Sequence, residues 1–171
     1  MRNQRVTAVL VAGMLYWSAL IPAYCARFVD LSGDAVEKAV NALSDKGVIA
    51  AEPDGKFKGN EPITRAILAQ WMVKTLALEN QPVSSTPSFP DVKPSDPNYK
   101  YVEIIRQNNY ISGFADGFRP NGFIQKGEVI AIIARALPTS PPSEGKIADI
   151  LAGFTDGSKI PSWAKAGIAQ A

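Results

Sequence analysis

Apolar residues recur at intervals of three and four positions along the chain, and this spacing predicts short amphipathic helices. The first apolar stripe consists of Val36, Ala39, Val40 and Leu43. A second helix is predicted to follow Thr64, a favourable N-cap residue. Its expected buried face consists of Ile67, Leu68, Trp71, Met72, Thr75 and Leu76. Between the two helices, Gly47 fits the left-handed position that ends a helix, and Asp54 with Gly55 is typical of a tight turn.

This unit of helix, turn and helix occurs a second time and begins a third time. Its start, Phe-Val-Asp at residues 28–30, returns as Phe-Pro-Asp at 89–91 and as Phe-Thr-Asp at 154–156. Thr64 follows Phe28 by 36 residues, and Gln125 follows Phe89 by the same 36 residues. A fixed period of this size marks a repeat protein. Because two short helices cannot bury their own apolar faces, we hypothesise that the first helices of the three copies form a three-helix core.

The copies divide the chain into segments. We assign them as a signal peptide at 1–26, a first repeat at 27–80, a linker at 81–88, a second repeat at 89–138, a linker at 139–153 and a partial third repeat at 154–171. The connecting stretches 80–88 and 138–145 are rich in Pro, Ser and Thr, so we expect them to be extended crossings. In the second copy, an asparagine pair at 108–109 stands where Gly47 ends the first helix, since asparagine also tolerates the left-handed conformation.

Composition narrows the possible functions. Arg2 and Arg5 account for the excess of 18 basic over 16 acidic residues, and so neutral a chain lacks the basic surface that binds nucleic acids. The sequence has no histidine, the commonest general base and transition-metal ligand. Its single cysteine, Cys25, excludes an intrachain disulfide and a cysteine-cluster metal site. We therefore expect no metal, no cofactor and no nucleic-acid partner.

The N-terminal segment has the three parts of a secretory signal peptide: a positive start, an apolar run at 6–21 and small residues after it. Cleavage near Cys25 would place the folded part outside the cytoplasm, with membrane contact only through this segment. Lipidation of Cys25 is one alternative, against which the bulky Tyr24 argues. Retention as a membrane anchor is another, although the run is shorter than the about 20 residues that span a bilayer.

The order of these elements resembles the S-layer homology module. The pattern is Phe-x-Asp, an amphipathic helix, an Asp-Gly-x-Phe turn and then Ile-Thr-Arg-Ala at the start of a second helix. Residues 63–66 resemble the family's Thr-Arg-Ala-Glu motif, and residues 111–120 resemble its central loop. The resemblance covers 28–76, 89–137 and the start at Phe154, which is nearly all of the chain after the signal segment.

The resemblance implies an all-α fold, in which tandem helix-loop-helix repeats pack as a pseudo-threefold bundle. It also implies a non-catalytic function on the bacterial cell envelope. Modules of this family bind cell-wall polysaccharide, a secondary wall polymer or a peptidoglycan-linked glycan, and anchor secreted proteins to the cell surface. The ligand lies in grooves between adjacent modules, where the motif arginine meets an acid group of the sugar.

Mapped onto this sequence, the motif arginine is Arg65, with Thr64 beside it. A guanidinium presents a rigid donor fork that matches a carboxylate, and free backbone amides at a helix start favour an anion as well. The corresponding position in the second copy is Lys126. Lysine also carries a positive charge, but it lacks the planar pair of N–H donors that a guanidinium offers to a carboxylate. The fourth motif position is Ile67 in the first copy, where the family has glutamate. Trp163 is a candidate stacking platform for a sugar ring.

Each candidate also has a structural interpretation. Arg65 can pair with Glu61 on the helix surface, and Trp163 can anchor the third helix in the core. The aspartates at 30, 91 and 156 precede helices, where capping or pairing is the expected role. We interpret the Asp-Gly pairs at 54–55, 116–117 and 156–157 as turns, because the spaced ligand set of a calcium loop is absent.

Three alternatives to wall binding stay open at the level of function. The chain can be a structural envelope protein that makes protein–protein contacts, or a fragment of a larger S-layer or envelope protein. A glycan hydrolase with two carboxylates is the third alternative, and no feature of the sequence selects such a pair.

Overall fold

The computed structural model describes residues 28–171, and this part of the chain is helical. Its helices are α1 (Asp34–Asp45), α2 (Arg65–Thr75), α3 (Tyr99–Gln107), α4 (Lys126–Ala136), α5 (Glu144–Ala152), a 3-10 helix (Gly157–Lys159) and α6 (Ser162–Gln170). Within 28–171 there is no β-strand, only two isolated bridges, so the predicted all-α class is confirmed. The predicted signal peptide, with Cys25, lies outside the described residues. No helix within 28–171 has the length and apolar character needed to cross a bilayer.

The first helices of the two complete copies end in the same way. Gly47 and Asn109 both adopt left-handed backbone conformations, with φ of 69° and 57°. The backbone N–H of the following residue then donates to a carbonyl in the last turn of the helix, as in the hydrogen bond from Val48 N to Leu43 O at 2.9 Å. Tyr110 makes the equivalent bond in the second copy. Because this geometry satisfies carbonyls that the helix end would leave unpaired, the predicted stop signals are confirmed.

In each complete copy, the aspartate of the Phe-x-Asp start is hydrogen-bonded to the turn that precedes the second helix. Asp30 accepts the backbone N–H groups of Phe57 and of the next residue, both at 2.8 Å. Asp91 accepts those of Phe118 and of the next residue at 2.8 and 2.6 Å. The N–H of Phe57 is the main cause that holds the pKa of Asp30 below its ordinary value. The structural role predicted for these aspartates is confirmed, and their partner is the turn of the same copy.

The aromatic residues of each copy pair across the same junction. Phe28 packs edge-on against Phe57 with ring centroids 5.7 Å apart, and Phe89 packs against Phe118 at 5.4 Å. These rings belong to two hydrophobic clusters. The smaller cluster contains Phe28, Val40, Val48 and Ile49. The larger contains Leu68, Ala69, Met72, Val73, Phe89, Val92, Tyr99, Val102, Ile104, Ile105, Ile111, Phe118, Ile124 and Ile132. Trp71, expected in the core, packs half-buried against the smaller cluster.

Helix pairing repeats along the chain. α2 packs against α3, and α4 packs against α6, so that the second helix of one copy contacts the first helix of the next. This repeated step is the one that a pseudo-threefold arrangement of S-layer homology type requires. The first helices α1, α3 and α6 share no extensive contacts with one another. The hypothesis of a core made from three first helices is therefore wrong, because each of α3 and α6 turns towards the preceding second helix.

The segment between the second and third copies is only partly extended. The predicted crossing holds as far as Ser143, the N-cap of α5, and is wrong beyond it. α5 packs against α6 and the 3-10 helix. Ile147, Ile150 and Leu151 have helical spacing, but nine residues are too short a stretch for sequence periodicity to distinguish a helix from a loop.

A buried carboxylate on α3 accepts hydrogen bonds from the end of the other crossing, residues 80–88. Glu103 on α3 is 1% exposed. Its two oxygens accept the backbone N–H and the hydroxyl of Ser88 at 2.8 and 2.7 Å. A buried carboxylate needs such partners, so this pair fixes where the second copy begins.

Candidate functional site

Arg65 is the first residue of α2, and its side chain is buried in the second copy. The residue is 4% exposed. Its Nε donates to the carbonyl oxygen of Phe118 and its Nη2 to that of Ser112, both at 2.8 Å. The alternative of a surface pair with Glu61 is therefore wrong, because the partners of the guanidinium lie about 50 residues further along the chain.

The backbone amides at the start of α2 are occupied. The N–H of Arg65 donates to Gly122 O at 2.9 Å, and that of Ala66 donates to Pro120 O at 3.0 Å. The next amide donates to the hydroxyl of Thr64 at 3.3 Å, which confirms Thr64 as the N-cap. The expectation of free amides that bind an anion is wrong, because the loop of the second copy has already satisfied them. Attraction for an acid group must therefore come from the guanidinium.

Two aromatic rings cover the guanidinium. The Cζ of Arg65 lies 4.7 Å from the ring centroid of Phe114 and 4.9 Å from that of Phe118. The Cζ of Arg119 lies 4.3 Å from the same Phe114 ring. Phe114 is 43% exposed, so its ring also faces solvent. These cation–π contacts hold the Arg65 side chain in one position.

Glu128 is the acidic neighbour of Arg65. Its Oε1 lies 3.8 Å from Nη1 of Arg65, which is an ion pair without a short hydrogen bond. Its Oε2 accepts the backbone N–H of Gln125 at 3.0 Å and closes a capping box at the start of α4. The first copy has Ile67 where the family has glutamate, whereas the second copy has Glu128 at that motif position. Glu128 therefore forms an ion pair with the arginine of the first copy.

Burial lowers the pKa of Arg65, and the charge of Glu128 opposes that effect. An arginine starts from so high a pKa that it remains protonated in this setting. The site therefore carries a fixed positive charge in a partly desolvated position, where electrostatic attraction is stronger than in water.

A pocket of about 310 Å³ opens beside these groups at the junction of the copies. It is lined by Arg65, Ile111, Ser112, Gly113, Phe114, Glu128, Ile132, Arg135 and Trp163. Trp163, on α6, is 51% exposed, so the alternative of a buried core anchor is wrong. Three successive copies thus contribute to one pocket: the arginine from the first, the loop and α4 from the second, and the indole from the third.

The other two sequence candidates lie apart from this pocket. Lys126 is exposed and lines neither this pocket nor a smaller one of about 190 Å³ that Trp163 also lines. Thr64 uses its hydroxyl to cap α2. In residues 28–171 no group of three acidic, cysteine or histidine side chains is placed to hold a metal ion.

Sequence reasoning missed Ser112, Phe114, Glu128 and Arg135. Arg135 adds a second positive charge to the pocket wall and donates to Tyr110 O at 3.2 Å. The resemblance of residues 111–120 to the family's central loop points to the right segment. The signal that could have found Glu128 is its place as the fourth residue of the second motif.

Comparison with known proteins identifies the repeated unit. The S-layer homology domain family matches residues 27–66 and 88–130. Among curated proteins, the chain is similar to the Surface-layer 125 kDa protein of Lysinibacillus sphaericus, with 32% identity over 93% of the chain and 13% of that protein. It is also similar to the S-layer protein of Bacillus licheniformis, with 30% identity over 83% of the chain and 16% of that protein. The Cellulosome-anchoring protein of Acetivibrio thermocellus is 29% identical over 77% of the chain and 29% of that protein.

The chain spans less than a third of the length of each of these relatives. S-layer homology domains are non-catalytic modules that anchor proteins to the bacterial cell wall, and the predicted location on the surface of the bacterial cell envelope is confirmed. The two matched segments begin where the two complete copies begin and end inside α2 and α4, and each contains an aspartate and a phenylalanine pair that close the copy. The chain is therefore a member of the S-layer homology domain family.

Proposed function

We propose that the pocket at the junction of the copies binds an acidic cell-wall polysaccharide and so attaches the chain to the wall without catalysis. The observation that carries this proposal is the presence of Arg65 and Trp163 in the wall of one pocket. A guanidinium recognises a carboxylate, and an exposed indole offers a flat apolar face to a sugar ring. A glycan with acid-bearing sugars, in a secondary wall polymer or linked to peptidoglycan, combines both features.

The charges of the pocket favour an anionic ligand. Its charged lining residues are Arg65, Arg135 and Glu128, which leave an excess of one positive charge. Arg65 Nη1 lies 3.8 Å from Glu128 Oε1, too far for a short hydrogen bond. A ligand carboxylate can approach this nitrogen more closely than Glu128 does, because Glu128 is held by its cap to Gln125. Phe114 and Trp163 then provide two exposed aromatic surfaces for the sugar rings.

The pocket does not favour the alternative of a glycan hydrolase. That chemistry uses two carboxylates placed about 5–10 Å apart across the bond to be broken. The only acidic residue in the lining is Glu128, which already serves Arg65 and the capping box. Lys126 and Thr64 contribute at most to the periphery of the ligand in this proposal.

The experiment is sedimentation of the protein with purified wall sacculi, before and after removal of the accessory polymer. Trp163→Ala is the main variant, because Trp163 is half-exposed and its loss leaves the core intact. Arg135→Ala removes one of the two positive charges. Phe123→Ala is the matched control, since Phe123 is 68% exposed and lies outside the pocket lining.

We expect Trp163→Ala and Arg135→Ala each to weaken binding about tenfold, while Phe123→Ala and Lys126→Ala change it less than about twofold. Soluble polymer carrying acidic sugars should displace the protein, and added salt should weaken binding. Equal sedimentation of Trp163→Ala and the parent would remove this pocket from the binding site. Absence of sedimentation with either kind of sacculus would overturn wall binding itself.

A further inference from the structure

A second pocket shares part of its wall with the pocket at the junction of the copies. Its volume is about 380 Å³. Ser112, Gly113 and Phe114 line both pockets, so the two adjoin along one short stretch of loop. Ser88, Phe89 and Arg106 are among the other lining residues of the second pocket. Each volume lies near the lower end of the range of about 300–1,000 Å³ that is typical of ligand pockets, so a ligand that enters both gains contacts that one pocket alone does not offer.

Arg106, on α3, is the charged residue in the lining of the second pocket. It is exposed, and within residues 28–171 it has no acidic partner. Its guanidinium makes one hydrogen bond there, from Nη1 to Oδ1 of Asn109 at 3.2 Å. The fork therefore has further N–H donors for an anionic ligand group. Since Arg65 lines the junction pocket, each of the two adjoining pockets has an arginine of its own.

Phe114 is the aromatic residue that the two pockets share, and its ring is held in place although it is 43% exposed. The Cζ atoms of Arg65 and Arg119 lie 4.7 and 4.3 Å from its centroid. The Nη2 of Arg119 in turn donates to Oδ2 of Asp116 at 2.9 Å. A ring fixed in this way offers an apolar surface to a sugar chain that passes from one pocket to the other.

Buried contacts also fix the wall formed by the start of the second copy. Ser88 donates its N–H and its hydroxyl to the carboxylate of Glu103 at 2.8 and 2.7 Å. Phe89 is 7% exposed and packs against Phe118. A Cβ at Gly113 would overlap the ring of Phe89, so the loop and the start of the copy are in close contact. A ligand therefore meets a preformed surface, which lowers the entropic cost of binding.

The first copy shows that the fold of a copy requires neither Arg106 nor Phe114. Arg106 corresponds to Ser44, because the residue before each accepts the hydrogen bond that closes the first helix. Phe114 corresponds to Glu52, because the carbonyl oxygen of each accepts the N–H of the glycine in the turn. The first copy forms the same helix stop and the same turn without the guanidinium and without the ring. The chemistry of the second pocket is therefore particular to the second copy, which favours a role in binding over a role in folding.

We propose that the second pocket is a further subsite of the glycan site, so that the chain binds an acidic oligosaccharide across both pockets. Arg65 and Trp163 hold one acid-bearing sugar in the junction pocket. Phe114 contacts the glycan where it passes between the pockets, and Arg106 binds a second anionic group further along it. This subsite rests on the proposed wall binding and specifies the ligand class, which is a glycan with anionic groups on at least two of its units.

The test compares acidic fragments of different length, released from the accessory polymer of purified sacculi by partial hydrolysis and separated by size. The short fragment has one acidic sugar, and the long fragment has two or more. Isothermal titration calorimetry measures their binding in about 0.15 M salt, where general electrostatic attraction is screened. We expect the parent to bind the long fragment at least tenfold more tightly than the short one, because the second anionic group binds as part of the same molecule.

Arg106→Ser is the main variant, because serine is the residue at the corresponding position of the first copy and is compatible with the fold. Lys100→Ser is the matched control, since Lys100 is an exposed cation on the same helix and lines neither pocket. Arg106→Ser should weaken binding of the long fragment about tenfold and change binding of the short fragment less than about twofold. Lys100→Ser should change neither, and Trp163→Ala should weaken both.

Two kinds of failure can be told apart. If Arg106→Ser binds the long fragment as the parent does while Trp163→Ala binds it more weakly, the second subsite is wrong and the proposed function stands. Equal weakening by Lys100→Ser, or equal affinity of the parent for the two fragments, would also overturn the subsite. If neither fragment binds at a protein concentration of about 1 mM, the proposed function is lost together with the subsite.

Discussion

Arg65 donates its Nε–H to the carbonyl oxygen of Phe118 at 2.8 Å, and so joins the start of one copy's second helix to the turn of the next copy. The same guanidinium lines the pocket at the junction. One side chain therefore has a structural role, through its two carbonyl partners, and a proposed ligand role, through Nη1. Experiments on Arg65 have to separate these two roles.

Arg65→Ala is expected to lower the free energy of unfolding by about 3 kcal/mol, because it removes two charge-assisted hydrogen bonds from a buried site and leaves two carbonyls unpaired. Denaturation in urea measures this change. Lys126→Ala is the matched control, since Lys126 is the first residue of α4 as Arg65 is of α2, yet is exposed. The control should stay within about 0.5 kcal/mol of the parent. Equal stability of Arg65→Ala and the parent would contradict the structural role.

Asp30→Asn is expected to lower stability at neutral pH and to change the acid dependence of unfolding. The pKa of Asp30 is lower in the folded chain than in the unfolded one. Its contribution is therefore fully present above about pH 4, the unfolded pKa, and is lost as the pH falls through the folded pKa.

The difference in urea midpoint between the parent and Asp30→Asn should thus be largest near pH 7 and shrink below about pH 4. Asp149→Asn, at an exposed position on α5, should match the parent at every pH. A difference for Asp30→Asn that stays constant from pH 7 to pH 2.5 would show that the carboxylate charge is not what binds the turn.

Two glycine substitutions should have opposite effects on stability. A Cβ at Gly113 would overlap the ring of Phe89, so Gly113→Ala should destabilise the fold by about 1–3 kcal/mol. Gly127 lies in the first turn of α4 with open space around its Cβ position. Gly127→Ala should therefore stabilise the protein, by up to about 1 kcal/mol, because alanine favours the helix. Thermal unfolding of both variants checks the two signs, and a loss of stability in Gly127→Ala would contradict this view of α4.

The bond between Glu103 and Ser88 should appear in a double-mutant cycle. Ser88→Ala removes one hydroxyl donor and should cost about 1–2 kcal/mol. Glu103→Ala should cost about 3 kcal/mol, because it empties a buried position and removes the acceptor of both Ser88 donors. The coupling energy between the two sites is expected to be about 1–2 kcal/mol. A coupling near zero, measured by urea denaturation, would mean that the crossing at 80–88 is held by other contacts.

The elements that sequence predicted correctly are those set by local chemistry. Helix stripes, the left-handed stops at Gly47 and Asn109 and the cap at Thr64 each depend on residues within one or two turns. The period of the copies indicated a repeat protein, and the resemblance of their motifs to the S-layer homology module implied the all-α fold. The sequence did not predict α5, because nine residues after a proline-rich crossing are too few to show a helical period.

The site was only partly predictable because it depends on contacts between distant segments. The partners of Arg65 lie 47 and 53 residues away along the chain. No local pattern shows that carbonyl groups in a loop of the second copy accept the backbone N–H groups at the start of α2. The sequence therefore could not show that these amides are not free. Motif position pointed to Arg65 and, without the guanidinium fork, to Lys126. Burial separates the two further, because Arg65 enters the following copy whereas Lys126 stays in solvent.

The pocket forms between copies: Arg65 precedes the crossing at residues 80–88 in the sequence, and the loop at 111–120 follows it. Duplication of a single copy therefore creates a pocket only when the new copy folds beside an older one. A change in the loop at 111–120 alters the surroundings of an arginine that another copy supplies. Selection for ligand binding in such arrays consequently acts on neighbouring copies together, and copies that share a pocket are expected to diverge together.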